Sequence, residues 1–234
     1  MNAAKDCTLQ EKLLRCAMAL ILAAGALLAS VAASPAYAAP STVDVSIGGK
    51  IPYGGFATTW MSADGNIAYC AEPSSPTPAP GSYSTSPVPS GDVTAAIWYS
   101  FGSPGFDASM FPGSWYDGGG WDDAKYAAAS HVLIAYAYSG SESAATHGTS
   151  AEFASWAKSE LIGGTFAKMK AGAGKVSAGF EAFCVRTGGG SQTLVSFSWS
   201  TGGVKVAKTD SEAGAEPQGD ASLDGASFSV VNET

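Results

Sequence analysis

Two stretches of strict alternation bracket the middle of this chain, and they limit its fold more than any other feature. Val43, Val45 and Ile47 alternate with other residues, and Phe180, Ala182 and Cys184 do so again far downstream. A period of two puts each set on one face of a strand. The later set leads through Gly188-Gly189-Gly190 into Leu194-Val195-Ser196-Phe197, the pattern of a hairpin. After the earlier set, Gly48-Gly49 and Asp64-Gly65 punctuate the chain, and Ile67-Ala68-Tyr69-Cys70 closes a further extended run. Between these regions the period changes. Residues 122–138 place Tyr126, Ala127, Ser130, His131, Ile134 and Tyr138 at three- and four-residue spacing, which predicts a helix. A shorter helical pattern covers 92–101, with Ile97, Trp98 and Phe101 on one side. Thr149 with Glu152 predicts a capping box for a helix running to about Leu161 and interrupted at Gly163-Gly164. Residues 73–91 are largely Pro, Ser and Thr and predict a loop or lid. The fold class expected for residues 40–201 is therefore α+β: barrel- or sandwich-like strands at both ends with a helical insert.

Residues 1–39 have a different character. Lys5, Lys12 and Arg15 precede an apolar run from Ala17 to Ala33, and Ala36-Tyr37-Ala38 follows with the small-x-small pattern of a cleavage site. This predicts a removable signal peptide and an exported protein. The signal carries three basic and two acidic residues, so nine basic and 18 acidic residues lie beyond it. Such an acidic chain repels phosphate, which excludes a nucleic-acid partner. No second long apolar run follows, so no membrane span is expected in the mature chain. Cys7 and Cys16 leave with the signal, and Cys70 and Cys184 remain in a compartment where thiols can oxidise. Those two form either a disulfide or buried free thiols.

The common catalytic constellations are missing from the sequence. Two histidines and two mature cysteines offer no metal-ligand spacing, so neither a metal nor another cofactor is expected. The glycine runs lack the lysine and the strand–loop–helix setting of a phosphate loop, and there is no GxSxG elbow. What stands out is scarcity. Gln192 is the only glutamine between residues 40 and 202, in Ser191-Gln192-Thr193-Leu194-Val195 at the mouth of the late hairpin.

Tyr69-Cys70 ending a strand, the mid-chain helix with Ser130-His131-Val132-Leu133-Ile134, and Gln192 followed by one polar and two aliphatic residues together resemble the thioester domains of Gram-positive surface adhesins. The resemblance covers roughly residues 43–200. It implies an internal thioester between the Cys70 thiol and the Gln192 carboxamide, formed with loss of ammonia. It also implies attack on that bond by an amine of a host or matrix protein. Ser130-His131 stands where better-known members have Thr-Gln, and His131 is the candidate supporting residue or base. Forming a thioester from a poor electrophile needs an activated thiol held in near-attack geometry, and the product must be kept from water. The aromatic residues of 98–121 (Trp98, Tyr99, Phe101, Phe106, Trp115, Tyr116 and Trp121) are candidates for that cover, against the plainer reading that they pack in the core.

From Gly202 the pattern changes again. Val204-Lys205-Val206-Ala207-Lys208-Thr209-Asp210, then Leu223-Asp224-Gly225-Ala226-Ser227-Phe228, resemble the opening of a SpaA or Cna-B type prealbumin-like stalk domain. That resemblance implies Lys208 as an isopeptide lysine and residues 202–234 as the start of a domain that continues beyond Thr234, in a protein anchored to the cell wall through a region outside this chain. Three functions compete at this point. They are a single-use covalent adhesin tip, a non-covalent module of the same fold (its cysteines a Cys70–Cys184 disulfide or free thiols), and a secreted cysteine hydrolase using Cys70 and His131.

Overall fold

A pair of glycines decides which way the first strand faces. The computed structural model describes residues 39–200; the signal segment up to residue 38, Lys208 and the stalk-like segment 202–234 lie outside the described residues. Strand β1 (Thr42–Tyr53) pairs antiparallel with β2 (Phe56–Ala63). The register shifts between Ile47 and Lys50, where β1 carries one residue more than β2. A Cβ at Gly48 would sit 3.0 Å from the Trp60 Cβ, so the backbone can pass here only without a side chain. An extra residue in a ladder turns every later side chain to the other face. Val43 and Val45 accordingly pack inside the sheet's closed curve, whereas Ile51 and Tyr53 face outward onto the helices.

Strand β3 (Asn66–Cys70) follows β2 by a tight turn, and β4 (Gly81–Pro87), β5 (Phe180–Arg186) and β6 (Leu194–Trp199) complete the sheet. All pairings are antiparallel, and the order β1-β2-β3-β6-β5-β4 closes on itself as a six-stranded barrel. Met61, Ala63, Ala68, Cys70, Phe183, Val185 and Leu194 join Val43 and Val45 in its interior. The predicted 73–91 loop needs correction, because β4 lies within it. Its Gly-Ser-Tyr-Ser-Thr-Ser-Pro sequence has no apolar alternation, and its side chains stay half-buried or exposed. Backbone pairing with β1 and β5 makes it a strand.

The helical insert lies between β4 and β5. Helix α1 (Gly91–Tyr99) and helix α2 (Asp123–Ser139) pack on the outer face of the barrel. Asp122 caps α2 by accepting from the Lys125 N–H at 2.8 Å. From Ala127 to Ala135 every residue of α2 is buried, and the run of alanines lets neighbours approach closely. Helix α3 (Glu142–Ala145) is a single turn. Helix α4 (Ala151–Trp156) is capped by Ser150, which accepts from the Phe153 N–H, so the expected Thr149 cap is displaced by one residue. Gly163-Gly164 do not end this helix. The chain continues as a wide π-helical segment, Ala157–Phe166, directly into α5 (Ala167–Ala171).

Candidate functional site

The barrel has one mouth at which β1 ends, β2 begins, β3 ends and β6 begins. Cys70 is the last residue of β3 and pairs with Leu194, and Gln192 lies just before β6. The Gln192 backbone is clamped on both sides. Its N–H donates to the Pro76 carbonyl (3.0 Å), and its carbonyl accepts from Thr187 Oγ1 (2.7 Å). The neighbouring Thr193 donates its N–H to Glu72 Oε2 (2.8 Å), and its carbonyl accepts the Ala71 N–H (2.9 Å). These bonds aim the Gln192 side chain inward. Cys70 Sγ lies directly against Gln192 Oε1, with both residues buried.

The disulfide alternative fails on the register. In the row Cys70–Leu194–Val185 all three side chains point into the barrel, whereas Tyr69–Val195–Cys184 point outward. The two cysteines thus occupy opposite faces of strands separated by β6, roughly 9–10 Å apart by strand spacing, beyond the reach of a disulfide. Both are free and buried. Cys184 shares its face with Phe180 and Ala182, as the alternation predicts.

His131 enters from α2. The β2–β3 ladder stops at Met61–Ala68, so the pair two residues further on, which would join Cys70 to Thr59, is open. The imidazole fills it. Nδ1 accepts the Cys70 main-chain N–H at 3.1 Å, a further hydrogen bond ties the ring to the Thr59 backbone, and Thr58 Oγ1 lies 3.3 Å from the ring nitrogens. The Tyr69 ring packs edge-on at 4.9 Å, and its hydroxyl donates to the Phe101 carbonyl. Because Nδ1 accepts, the proton of the neutral ring resides on Nε2. Burial holds the imidazole pKa down at about 3, only partly opposed by the Thr59 bond. His131 is thus a neutral bracket on the Cys70 backbone. It is poorly suited to be the base that the sequence also allowed.

Burial also governs the thiol. It pushes Cys70 up to about 12, opposed by a hydrogen bond from the Glu72 backbone and reinforced by the Glu72 charge. No cation sits at the sulfur to stabilise a thiolate among the residues that shift it.

A cavity of about 50 Å³ adjoins the pair, lined by Tyr53, Phe56, Ala57, Thr58, Pro73, Ser75 and Thr77 together with Cys70, His131 and Gln192. That is room for a few waters or the tip of one slim side chain. Of the two roles open to the 98–121 aromatics, the structure shows packing. None of the seven aromatics of 98–121 lines the cavity; Phe101, Phe106 and Trp121 stack around Tyr126, and Trp115 and Tyr116 pack on Phe153 and Trp156. The cover comes instead from Tyr53, Phe56 and the segment after Cys70. Tyr53 and Thr58 carry no sequence signal that would single them out, since they reach the site only through the β1 register shift and the β1–β2 turn. Among the described residues no group of His, Cys, Asp or Glu could hold a metal ion.

A family model described as a thioester domain matches residues 42–164. The chain belongs to the thioester domain family. The matched span of this thioester domain includes Cys70 and His131 and ends before Gln192, which the barrel topology returns to Cys70. No curated protein and no solved structure matches the chain. No helix among the described residues of the thioester domain is long and apolar enough to cross a membrane.

Proposed function

We propose that this domain is the tip of a cell-surface adhesin and that it binds its target covalently. Cys70 Sγ attacks the Gln192 side-chain carbonyl carbon, and the carboxamide nitrogen leaves as ammonia, giving an internal thioester. A lysine amine of a host or matrix protein then attacks the same carbon. The new C–N bond joins Gln192 to the target as an amide, the C–S bond breaks, and Cys70 returns as a thiol. The domain reacts once and does not turn over. The observation that carries this reading is the approach of the Cys70 sulfur to the Gln192 carboxamide beside a small, partly enclosed cavity, with the Gln192 and Thr193 backbones clamped. Such fixed geometry supplies effective molarities of ~10⁵–10⁸ M, which a poor electrophile requires.

The export signal over residues 1–39, the stalk that begins at 202 with Lys208 as its isopeptide lysine, and cell-wall anchoring belong to the same proposal. Intact-mass measurement tests the chemistry. The wild-type protein is expected to weigh ~17 Da less than its sequence, from loss of ammonia in the condensation, and Cys70→Ala to abolish the deficit. A full mass with two titratable thiols refutes the thioester and leaves a non-covalent module.

A further inference from the structure

Aminolysis of a thioester leaves a proton-transfer problem that the groups already described do not solve. The attacking amine becomes an ammonium as it bonds, and the departing sulfur needs a proton. His131 is committed to the Cys70 and Thr59 backbones. The Glu72 carboxylate accepts the Thr193 N–H and does not line the cavity. Tyr53 remains. It lines the cavity beside Cys70 and Gln192, is almost fully buried, and its hydroxyl makes no hydrogen bond to another described residue. Its ring is fixed by edge contact with Phe56 (5.8 Å) and tilted contact with Phe153 (5.3 Å).

Position adds to this. Tyr53 and Phe56 also line an outer groove with Trp115, Tyr116 and Lys125, so the phenol stands where that groove meets the inner cavity. An amine arriving by this route would pass the Tyr53 side chain on its way to Gln192. Burial raises the phenol far above its usual range, and a charge on Cys70 raises it further, so the hydroxyl keeps its proton.

We propose that Tyr53 is a catalytic residue whose hydroxyl carries the proton between the attacking amine and the Cys70 sulfur. This rests on the thioester reading. As the amine nitrogen bonds to the Gln192 carbon, the C–S bond breaks and its electron pair stays on sulfur. The ammonium proton passes to the phenolic oxygen while the phenol's own proton passes to sulfur. The products are an amide and a neutral thiol, and Tyr53 is unchanged. The same relay run the other way moves the thiol proton to departing ammonia during condensation.

Tyr53→Phe removes one oxygen and keeps both ring contacts. The full chain carrying this change is checked for the ammonia deficit, and the decay of the deficit-bearing species in methylamine is followed by mass. The relay predicts decay about 100-fold slower than wild type at an unchanged thermal midpoint. A folded variant that never acquires the deficit likewise supports the relay, because condensation uses it too. A wild-type decay rate in a deficit-bearing variant overturns the inference and leaves the thioester standing, whereas a wild-type protein without the deficit overturns the thioester itself. If the Tyr53→Phe midpoint falls, 3,5-difluorotyrosine at position 53 decides, since it keeps the hydroxyl and alters its acidity. A changed methylamine rate supports the relay, and an unchanged one overturns it.

Discussion

Replacing His131 separates a bracket from a base. A neutral imidazole presents one acceptor and one donor, and so does a carboxamide. His131→Gln can therefore still accept the Cys70 N–H with its oxygen and donate to the Thr59 backbone with its NH₂. His131→Ala can do neither. It leaves the buried Cys70 N–H without a partner at a cost of about 1–3 kcal/mol, before the lost ring contact with Tyr69 is counted. The effect on chemistry is steeper than on stability. With the Cys70 N–H released from the imidazole, a displacement of about 1 Å at the sulfur slows attack roughly 100-fold. The assay is paired: thermal unfolding for the bracket, and the time course of the ammonia deficit for the sulfur. His131→Gln is expected to keep most of the stability and to condense, whereas His131→Ala loses both. A glutamine variant as impaired as alanine, or an alanine variant that condenses at the wild-type rate, refutes the bracket.

The same residue sets an acid limit. Its folded pKa of about 3 lies below the unfolded value of about 6.5, so its contribution is complete above pH 6.5 and lost as the pH falls towards 3; at pH 4 the loss is about 3 kcal/mol, visible as a midpoint that drops on acidification in wild type and much less in His131→Gln. Cys184→Ala is expected to leave the ammonia deficit intact and remove one titratable thiol, at roughly 1–2 kcal/mol of stability for a small cavity; loss of the deficit would place Cys184 in the chemistry. Gly54→Ala would drive a Cβ to within 2.4 Å of the Phe153 ring at a φ of +53°, and a midpoint falling by several degrees, with the cavity beside Tyr53 disturbed, is the expected result in calorimetry and in the methylamine rate.

The parts of this fold legible in the sequence are those whose side chains report their own surroundings. Alternation at Val43–Ile47 and Phe180–Cys184 marks strands because one face is apolar, and the 122–138 spacing marks α2, observed at Asp123–Ser139. Strand β4 is silent because neither of its faces is fully buried. Its strand character comes from neighbours that a local pattern cannot reveal. The missed continuation through Gly163-Gly164 has the same origin, since packing of Leu161, Ile162 and Phe166 holds a segment that glycine propensity argues against. At the site, Cys70 and Gln192 could be named as scarce residues in a family-like setting. That His131 grips a main-chain N–H and not a thiol depends on where a ladder stops, and no spacing encodes that.

The mouth of the barrel has a mechanical consequence. β1 runs towards it and β6 runs away from it, so the chain enters and leaves the described domain at the opposite end. Once Gln192 is joined to a target, a pull between that target and whatever follows Ser200 travels along β6 alone. The helices, β1, β2 and β4 lie off that line. Both ends of that path lie on one strand, so the load would be carried as tension in the covalent backbone of β6, which its pairing with β5 from Phe180–Trp199 to Val185–Leu194 and its two rungs to β3 already hold extended. In the unreacted domain the thioester would tie β6 to β3 at its loaded end, and the reaction with a target is what removes that tie. On the proposed chemistry the covalent backbone of β6 would bear the pull, and the hydrogen-bonded ladders of the barrel and its helices would stay out of the load path.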